Sequence, residues 1–481
     1  MEKEQLIKFT DQGILIFATI FILYCFVGRI VPVYVLIPES INRLVYICFV
    51  IVGCVFILID FFLNKTMFKA KYCWILYCFI GIMIASTMVN MEYGYVDNIK
   101  TIIWTMIQVS IFYSIYTRFS KEKMLQYIYR LFCLISSIWT IAIVYSLKQF
   151  IVAESYGVEI WQGEWRLQGF RESRLFGIFN DPNYAAVASV WAIFMLLHII
   201  CKNKGKCIKI ICLLSILFHG IYIVLSGSRT SIVCLLSGVF ICVFLMLKNS
   251  FLDKKEVISF IIRIGIAIIS VCVVTLVGLG IKKVAPYFPE QYIKYEVDKM
   301  NSRKNTDFIE KEEMEKIQNK SDSLSYAIEQ GLLDRGDVSK KNISNNRFEI
   351  WINYFKSTKD QWLLGASPRK TLQHMKDKHP DIYEQNGEYE THNGFVSLYA
   401  GTGLVGCLMI LVFVILVGGK ICRYCFEKKK IEWQFVIIFC IVITILMYSC
   451  FFTELFFVNN LTTTLFWILL GVMMYWFDDK A

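Results

Sequence analysis

The chain has 481 residues, of which 56% are hydrophobic and 16% aromatic, with a formal net charge of +11 and a mean hydropathy of +0.53. A soluble globular protein is usually only about 45–50% apolar, so this composition excludes an ordinary water-soluble enzyme and indicates a protein embedded in a lipid bilayer. The basic residues are spread over short connections and do not form one long patch, which argues against a nucleic-acid partner.

Apolar runs recur along the whole chain, each close to the roughly 20 residues that a helix needs to cross the bilayer. The first run lacks a small-residue cleavage site, so we interpret it as a retained helix and not as a signal peptide. The predicted spans are residues 13–37, 43–63, 72–90, 98–117, 125–150, 183–201, 208–226, 230–247, 256–281, 393–419, 432–452 and 460–477. The sequence therefore predicts an all-α integral membrane protein with about twelve transmembrane helices.

Lysine and arginine are concentrated in alternate connections, for example residues 202–209 and 420–430. Cytoplasmic connections carry such an excess of positive charge, so we expect both termini in the cytoplasm and residues 151–182 and 282–392 outside it. The predicted organisation is helices one to nine in residues 1–281, one large extracytoplasmic loop in residues 282–392, and helices ten to twelve in residues 393–481.

The large loop contains a charged insertion, residues 298–345, to which we assign no chemistry. Residues 306–333 within it have the composition of a polar surface helix. Directly after the insertion, Asn346 and Glu349 resemble a capping box, which predicts a short helix with Arg347 and Trp351 on one face.

Three polar motifs directly precede or open predicted spans on the outer side. They are Arg171–Asn183 before span six, Ser226–Ser231 between spans seven and eight, and Glu390–Gly394 before span ten. In the first, Asp181 and Pro182 have the residue types of an N-cap and first helical position. A helix N-terminus with nearby arginines can bind phosphate, although a single arginine at such a place could simply extend towards the membrane surface.

His392 is a candidate general base because it lies beside Glu390 at the start of span ten, and imidazole titrates near neutral pH. The alternative is an ordinary surface histidine. The sequence contains no Gly-rich phosphate loop with a following lysine and no metal-ligand cluster of suitable spacing. We therefore predict neither a cofactor nor a metal.

These motifs occur in the order seen in one known family. Arg174-Leu-Phe-Gly-Ile-Phe-Asn-Asp-Pro-Asn183 is followed by Ser-Gly-Ser-Arg229, Arg347-Phe-Glu-Ile-Trp351, Trp362-Leu-Leu-Gly365, His392-Asn-Gly-Phe and Gly401-Thr-Gly-Leu-Val-Gly406. The sequence resembles the O-antigen ligase and O-antigen polymerase family over about residues 170–420. Gly394 departs from the family pattern, in which a bulkier residue is common.

The resemblance implies a metal-independent, inverting glycosyltransferase of the bacterial cytoplasmic membrane. It implies an undecaprenyl-diphosphate-linked glycan as donor and a hydroxyl of a second glycan as acceptor. Arg229, Arg347 and His392 match the family's SxSR, RxxxW and HN motifs and are the expected catalytic residues. The expected substrate-binding residues are Arg174, Asn183, Glu390 and Asn393.

Several functions remain open at this point. We favour polymerisation of surface polysaccharide, such as O-antigen or capsule repeat units, over ligase-type transfer of finished glycan to a different acceptor. A transporter or flippase for lipid-linked oligosaccharides would be expected to show internal repeats and broken segments near the bilayer midplane. A membrane-anchored assembly protein would use the charged insertion as its interface.

Overall fold

The computed structural model describes residues 3–171, 173–251, 255–303 and 346–477. Most of them are helical, as the apolar runs predict. The helix predicted within residues 306–333 lies outside this part of the chain, as does most of the charged insertion. The fold is therefore described from the two flanking regions.

Six helices precede the first long loop. They are α1 (Lys3–Val27), α2 (Val31–Tyr34), α3 (Glu39–Leu63), α4 (Cys73–Val89), α5 (Tyr95–Ile107) and α6 (Lys121–Ile151). A π-helical turn and a 3₁₀ turn extend α5 to Arg118. The prediction of a span at 13–37 was wrong in its bounds: α1 ends before Gly28, and α2 is a separate short helix with Pro32 in its first turn.

The loop at residues 151–182 contains strands that the all-α prediction missed. They are β1 (Ser155–Glu159), β2 (Trp165–Arg171) and β3 (Arg174–Gly177), paired antiparallel in the order β1-β2-β3. The register shifts after Gly169, whose φ of 78° is readily adopted by glycine. Apolar residues alternate with polar ones or glycine over β1 and the first four residues of β2, but these runs are too short to have been distinguished from a polar loop.

The remaining helices lie on either side of the charged insertion. Before it are α7 (Pro182–Lys202), α8 (Lys206–Leu225), α9 (Arg229–Met246), α10 (Glu256–Val284) and α11 (Tyr287–Arg303). After it are α12 (Arg347–Ser357), α13 (Thr371–Lys378), α14 (Pro380–Asn386), α15 (Gly394–Glu427), α16 (Trp433–Ser449) and α17 (Leu461–Met473). The short helix predicted at Arg347 is present, but Asn346 has a φ of 61° and its side chain does not cap the helix. The predicted capping box is therefore wrong.

In the described ranges, nine helices are long and apolar enough to cross a membrane, and α4, α16 and the segment Leu461–Phe477 are shorter apolar helices. Burial separates central from peripheral positions: 83% of the most apolar part of α7 is buried, against 11% for α3 and 17% for α10. The exposed sides of α3 and α10 are rich in isoleucine, leucine and valine. These faces suit contact with lipid, and the chain is a multi-pass membrane protein.

Helix α15 is broken near its start, at Gly403, whose φ is 63°. Residues 362–365 of the preceding loop, here called the inserted segment, lie against the break. The N–H of Leu404 donates to the carbonyl of Trp362 at 2.8 Å. The segment ends in glycine because a Cβ there would lie 2.5 Å from the backbone of Gly401. Two motifs that are far apart in the sequence thus form one backbone contact.

Candidate active site at the meeting point of three helix starts

The three polar motifs each open a helix, and each helix start is capped by a side chain. Asp181 caps α7 by accepting from the N–H of Asn183 at 2.8 Å, with Pro182 at the first helical position as predicted. Ser228 caps α9 through the N–H of Ser231 at 3.4 Å. Asn393 caps α15 through two amides, at 2.8 and 3.1 Å. Three positive helix ends are available for an anionic ligand.

The Ser226–Arg229 turn explains how Arg229 reaches the start of α9. Ser226 ends α8, and its hydroxyl accepts from the N–H of Ser228 at 3.2 Å. Gly227 between them has a φ of 63°, which glycine adopts without the strain that other residues incur. The chain therefore reverses in one residue, and the exposed Arg229 is the first residue of the new helix.

Arg174 holds two of the three motifs together. Its Nε donates to the carbonyl of Ser226 at 2.8 Å, and its Nη2 donates to the Oδ1 of Asn183 at 2.7 Å. The Nδ2 of Asn183 in turn donates to the Oδ1 of Asp181 at 3.1 Å. These contacts give Arg174 and Asn183 a positioning role, and substrate contact by either remains a prediction.

Arg347 faces the same end of the bundle from α12. Its guanidinium lies 5.2 Å from the ring centre of Phe452, in the connection between α16 and α17. Burial lowers the pKa of Arg347, and the nearby charge of Arg229 lowers it further. The two predicted arginines therefore lie within electrostatic range of each other, although they are more than a hundred residues apart in the sequence. A diphosphate carries the negative charge that such a pair would attract.

His392 lies between positive and negative neighbours. Burial has the largest effect and lowers the pKa of His392, and the charge of Arg347 lowers it further. The negative charges of Glu390 and Asp181 raise this pKa. The imidazole is therefore mainly neutral at pH 7 and able to accept a proton. Its φ of 45° is uncommon outside glycine, and its place directly before the capping residue Asn393 fixes it at the start of α15.

The departure from the family pattern at Gly394 has a packing reason. A Cβ at this position would lie 3.2 Å from the carbonyl oxygen of Ser449. The start of α15 therefore packs directly against the end of α16. This close approach fixes His392 relative to the connection that carries Phe452.

Sequence reasoning missed an ion pair next to these residues. Arg29 Nη2 lies 3.1 Å from Glu454 Oε2, and the Arg29 guanidinium stacks 3.8 Å from the ring centre of Tyr184. Burial raises the pKa of Glu454, Arg29 lowers it, and Asp181 raises it again. Glu454 stands alone as an acidic residue in the apolar stretch 450–460, and an ionisable residue in such a stretch is a signal that could have found it.

Two apolar cavities flank α10 near this end. One, of about 480 Å³, contains Arg229 and Lys282 in its wall; the other, of about 600 Å³, has Lys148 as its only charged lining residue. We call them the Arg229 cavity and the Lys148 cavity. The apolar walls of the Arg229 cavity come mainly from Gly220, Ile223, Val224, Ile232, Leu235, Leu236, Val274, Val277, Gly278 and Ile281. Among the residues that the structure describes, no cluster of three or more His, Cys, Asp or Glu side chains is arranged to hold a metal ion.

Comparison with known proteins adds a family to this geometry. Residues 210–411 match the family model described as O-antigen ligase. This region is similar to the O-antigen ligase family. The match confirms the resemblance predicted from the motifs, and it contains Arg229, Arg347 and His392 while Arg29 and Glu454 lie outside it. A comparison with curated proteins gives no match. At the family level, this match supports glycan transfer by a membrane enzyme.

Proposed function

We propose that this protein transfers glycan from an undecaprenyl-diphosphate-linked donor to a hydroxyl of an acceptor glycan at the outer face of the bacterial cytoplasmic membrane. The observation that carries the proposal is that the capped helix starts after Ser228 and at Asn393 carry Arg229 and His392, and that each of these residues lies within electrostatic range of Arg347. A pair of guanidinium groups suits a diphosphate leaving group, and a neutral imidazole suits an acceptor hydroxyl.

The Arg229 cavity supports a lipid-linked donor. Its walls are mostly apolar, while Arg229 and Lys282 place positive charge at its margin. A ligand with a long hydrocarbon chain and an anionic head matches both features. The Lys148 cavity is larger but is not lined by a predicted catalytic residue, so we assign the donor chain to the Arg229 cavity.

The proposed reaction is a direct displacement at the donor sugar. The acceptor oxygen attacks the anomeric carbon of the donor while its proton passes to His392, and the bond from that carbon to the diphosphate breaks. The bonding electrons leave with the diphosphate, whose growing charge Arg229 and Arg347 stabilise. The configuration at the anomeric carbon is inverted. No further energy source enters because the diphosphate ester is already activated.

We propose polymerisation of lipid-linked repeat units as the reaction, with transfer of finished glycan to another acceptor as the alternative within the family. A deletion strain tests this choice through its lipid-linked glycans. Loss of polymer with accumulation of single lipid-linked units is the expected result. Intact lipid-linked polymer in that strain would contradict polymerisation and indicate a ligase. Unchanged envelope polysaccharide of every kind would contradict glycan transfer itself.

A further inference from the structure

A polar cleft lies beside His392 and is lined by none of the three predicted catalytic residues. It consists of a pocket of about 260 Å³ at the start of α5 and a narrower one of about 70 Å³ that reaches Glu390 and Thr391. Arg369, Phe457 and Val458 line both. Because Glu390 acts electrostatically on His392, the narrow end of the cleft borders the base.

The walls of the cleft are held by several hydrogen bonds. The N–H of Arg369 donates to the Oδ1 of Asn98 at 3.0 Å, which fastens the loop to α5. Gln108 Nε2 donates to the carbonyl of Val458 at 2.7 Å, which fastens the opposite wall. The backbone of each wall is thus fixed, while the Arg369 side chain is exposed. Such a cleft is built before any ligand arrives.

The wide end of the cleft carries more positive than negative charge. Asp97 lies 3.2 Å from the Nζ of Lys100 and 3.7 Å from the Nζ of Lys370, and Arg369 lines the same pocket. Three cations therefore surround one carboxylate. Asp97, Lys100 and Lys370 are exposed by 43%, 67% and 50% of their side-chain surface, so a ligand can reach them.

The other lining groups suit a sugar. Thr101 and Asn459 offer a hydroxyl and an amide, and Trp104 and Phe457 contribute aromatic carbon. The pocket volume equals that of at least about eight water molecules in the liquid, which is room for one hexose unit. Carbohydrate hydroxyls and one anionic substituent would together match hydrogen-bonding groups and surplus positive charge.

We propose that this cleft binds the acceptor glycan and selects an acceptor whose sugar bears a carboxylate. This inference rests on the proposed glycan transfer and assigns its second substrate. The acidic sugar lies in the wide pocket against Arg369 and Lys100, and its accepting hydroxyl faces the narrow pocket, whose lining includes Glu390 and Thr391 next to His392. Donor and acceptor then approach the catalytic residues from different sides, the donor chain from the Arg229 cavity and the acceptor from α5.

Binding measurements on the full-length protein in phosphatidylcholine nanodiscs test the inference. The probes are a hyaluronan tetrasaccharide, which carries carboxylates, and the uncharged chitin tetrasaccharide. We expect tighter binding of hyaluronan, and a loss of about 10- to 100-fold in Arg369→Gln, the range that corresponds to one hydrogen bond to a charged group. Lys100→Gln should have an effect in the same direction. Lys359→Gln, an exposed loop lysine outside the cleft, is the matched control and should bind like the wild type.

Three results would overturn the inference. The first is equal affinity for the charged and uncharged glycans, and the second is unchanged hyaluronan binding in Arg369→Gln and Lys100→Gln. The third is displacement of hyaluronan by sn-glycerol 3-phosphate as effectively as by free hyaluronan. That result would identify a site for a lipid headgroup. Binding of undecaprenyl phosphate is measured on the same protein samples. Undecaprenyl phosphate should bind equally to the wild type and to both variants. If the wild type failed to bind it, the proposed donor would be wrong, and the hyaluronan measurements would still test the acceptor site independently.

Discussion

The surroundings of His392 determine at which pH the residue can act. Burial and Arg347 lower its pKa below the usual 6.5, so the neutral form that accepts a proton persists into mildly acidic solution. We expect kcat/KM to stay level around pH 7 and to fall as the pH drops through the lowered pKa. Bound diphosphate would counter the charge of Arg347, so the inflection in kcat should lie at a higher pH than that in kcat/KM.

Two variants identify His392 as the source of that pH dependence. His392→Ala should transfer sugar about 10²–10⁴-fold more slowly, the usual size of a general acid–base contribution, and should lose the inflection. Glu390→Gln removes a charge that raises the pKa of His392, so its inflection should move to lower pH. An inflection that persists in His392→Ala would assign the titration to another group.

The charge of Arg229 should matter less than its shape. Arg229→Lys keeps the charge but removes the planar fork that can hold two phosphate oxygens. We expect transfer to fall by about 10- to 100-fold, corresponding to one lost hydrogen bond to a charged group, measured as kcat/KM on purified protein. Arg43→Lys is the control, because Arg43 is an exposed arginine paired with Glu39. If Arg229→Lys and Arg43→Lys were equally active, the fork shape of Arg229 would have no role in transfer, and Arg229 would simply extend towards the membrane surface.

At this scale the sequence yielded candidate residues, and it was less informative about what they contact. Helix-start motifs made Arg229 and His392 candidates, since polar groups stand out in apolar sequence. Arg174 was predicted to bind phosphate, but its bonds to Ser226 and Asn183 depend on a turn and a helix that only the fold brings together. Glu454 was missed because its partner Arg29 is at the other end of the chain.

At the scale of elements, α10 allows the donor assignment to be tested. Gly278 lines the Arg229 cavity and Gly280 lines the Lys148 cavity. A Cβ at Gly278 would meet only Val224, at 3.7 Å, and one at Gly280 would meet nothing within 4 Å, so both positions accept a side chain. Gly278→Leu should weaken binding of undecaprenyl phosphate by partly filling the donor cavity.

Gly280→Leu is the matched control, two residues away on the same helix. It should fold equally well and bind undecaprenyl phosphate like the wild type. Thermal stability of both variants in detergent verifies that neither substitution damages the bundle. The reverse pattern, with Gly280→Leu alone impaired, would place the lipid chain in the Lys148 cavity.

Helix positions could be predicted because apolar runs of this length have few other structures available in a membrane. The sheet of residues 155–177 was missed, since its strands are short and their two-residue apolar period extends over only four or five residues. The break in α15 could not be predicted from the sequence either. Gly401, Gly403 and Gly406 are typical of close packing between helices, and only the position of the inserted segment reveals a break.

At the scale of the whole molecule, the two ends of the bundle differ. Arg29, Arg174, Arg229, Arg347 and His392 share one end. At the other end, Arg118 binds Asp60 at 2.9 Å and Asp11 at 3.1 Å, with Arg118 and Asp60 only 1% exposed. Removing one member of such a buried group leaves unpaired charge, so this contact fixes α1, α3 and the extension of α5 together.

The orientation of the two ends is a separate prediction. The positive-inside pattern places the loop with α12 outside and the connection after α15 in the cytoplasm. Lys359→Cys and Lys429→Cys, both exposed, should differ in their reaction with a membrane-impermeant thiol reagent on intact cells. We expect extra labelling over the wild-type cysteines for Lys359→Cys before lysis, and for Lys429→Cys only after it. The opposite order would invert the topology.

Composition and charge predicted the membrane class and this orientation, because both are sums over many residues. Which helix starts meet could not be predicted, because that depends on side-chain packing between distant parts of the chain. The approach of Arg347 to Arg229, across the charged insertion, is the clearest example.

The break in α15 has a consequence for how the protein is made. An amide N–H that faces hydrocarbon without an acceptor costs several kcal/mol, and the N–H groups of Leu404 and Val405 obtain theirs from the inserted segment, at 2.8 and 3.2 Å. Residues 362–365 leave the ribosome before α15 does. The acceptors are therefore synthesised first, and we expect α15 to reach its final structure only after the inserted segment has folded back against it.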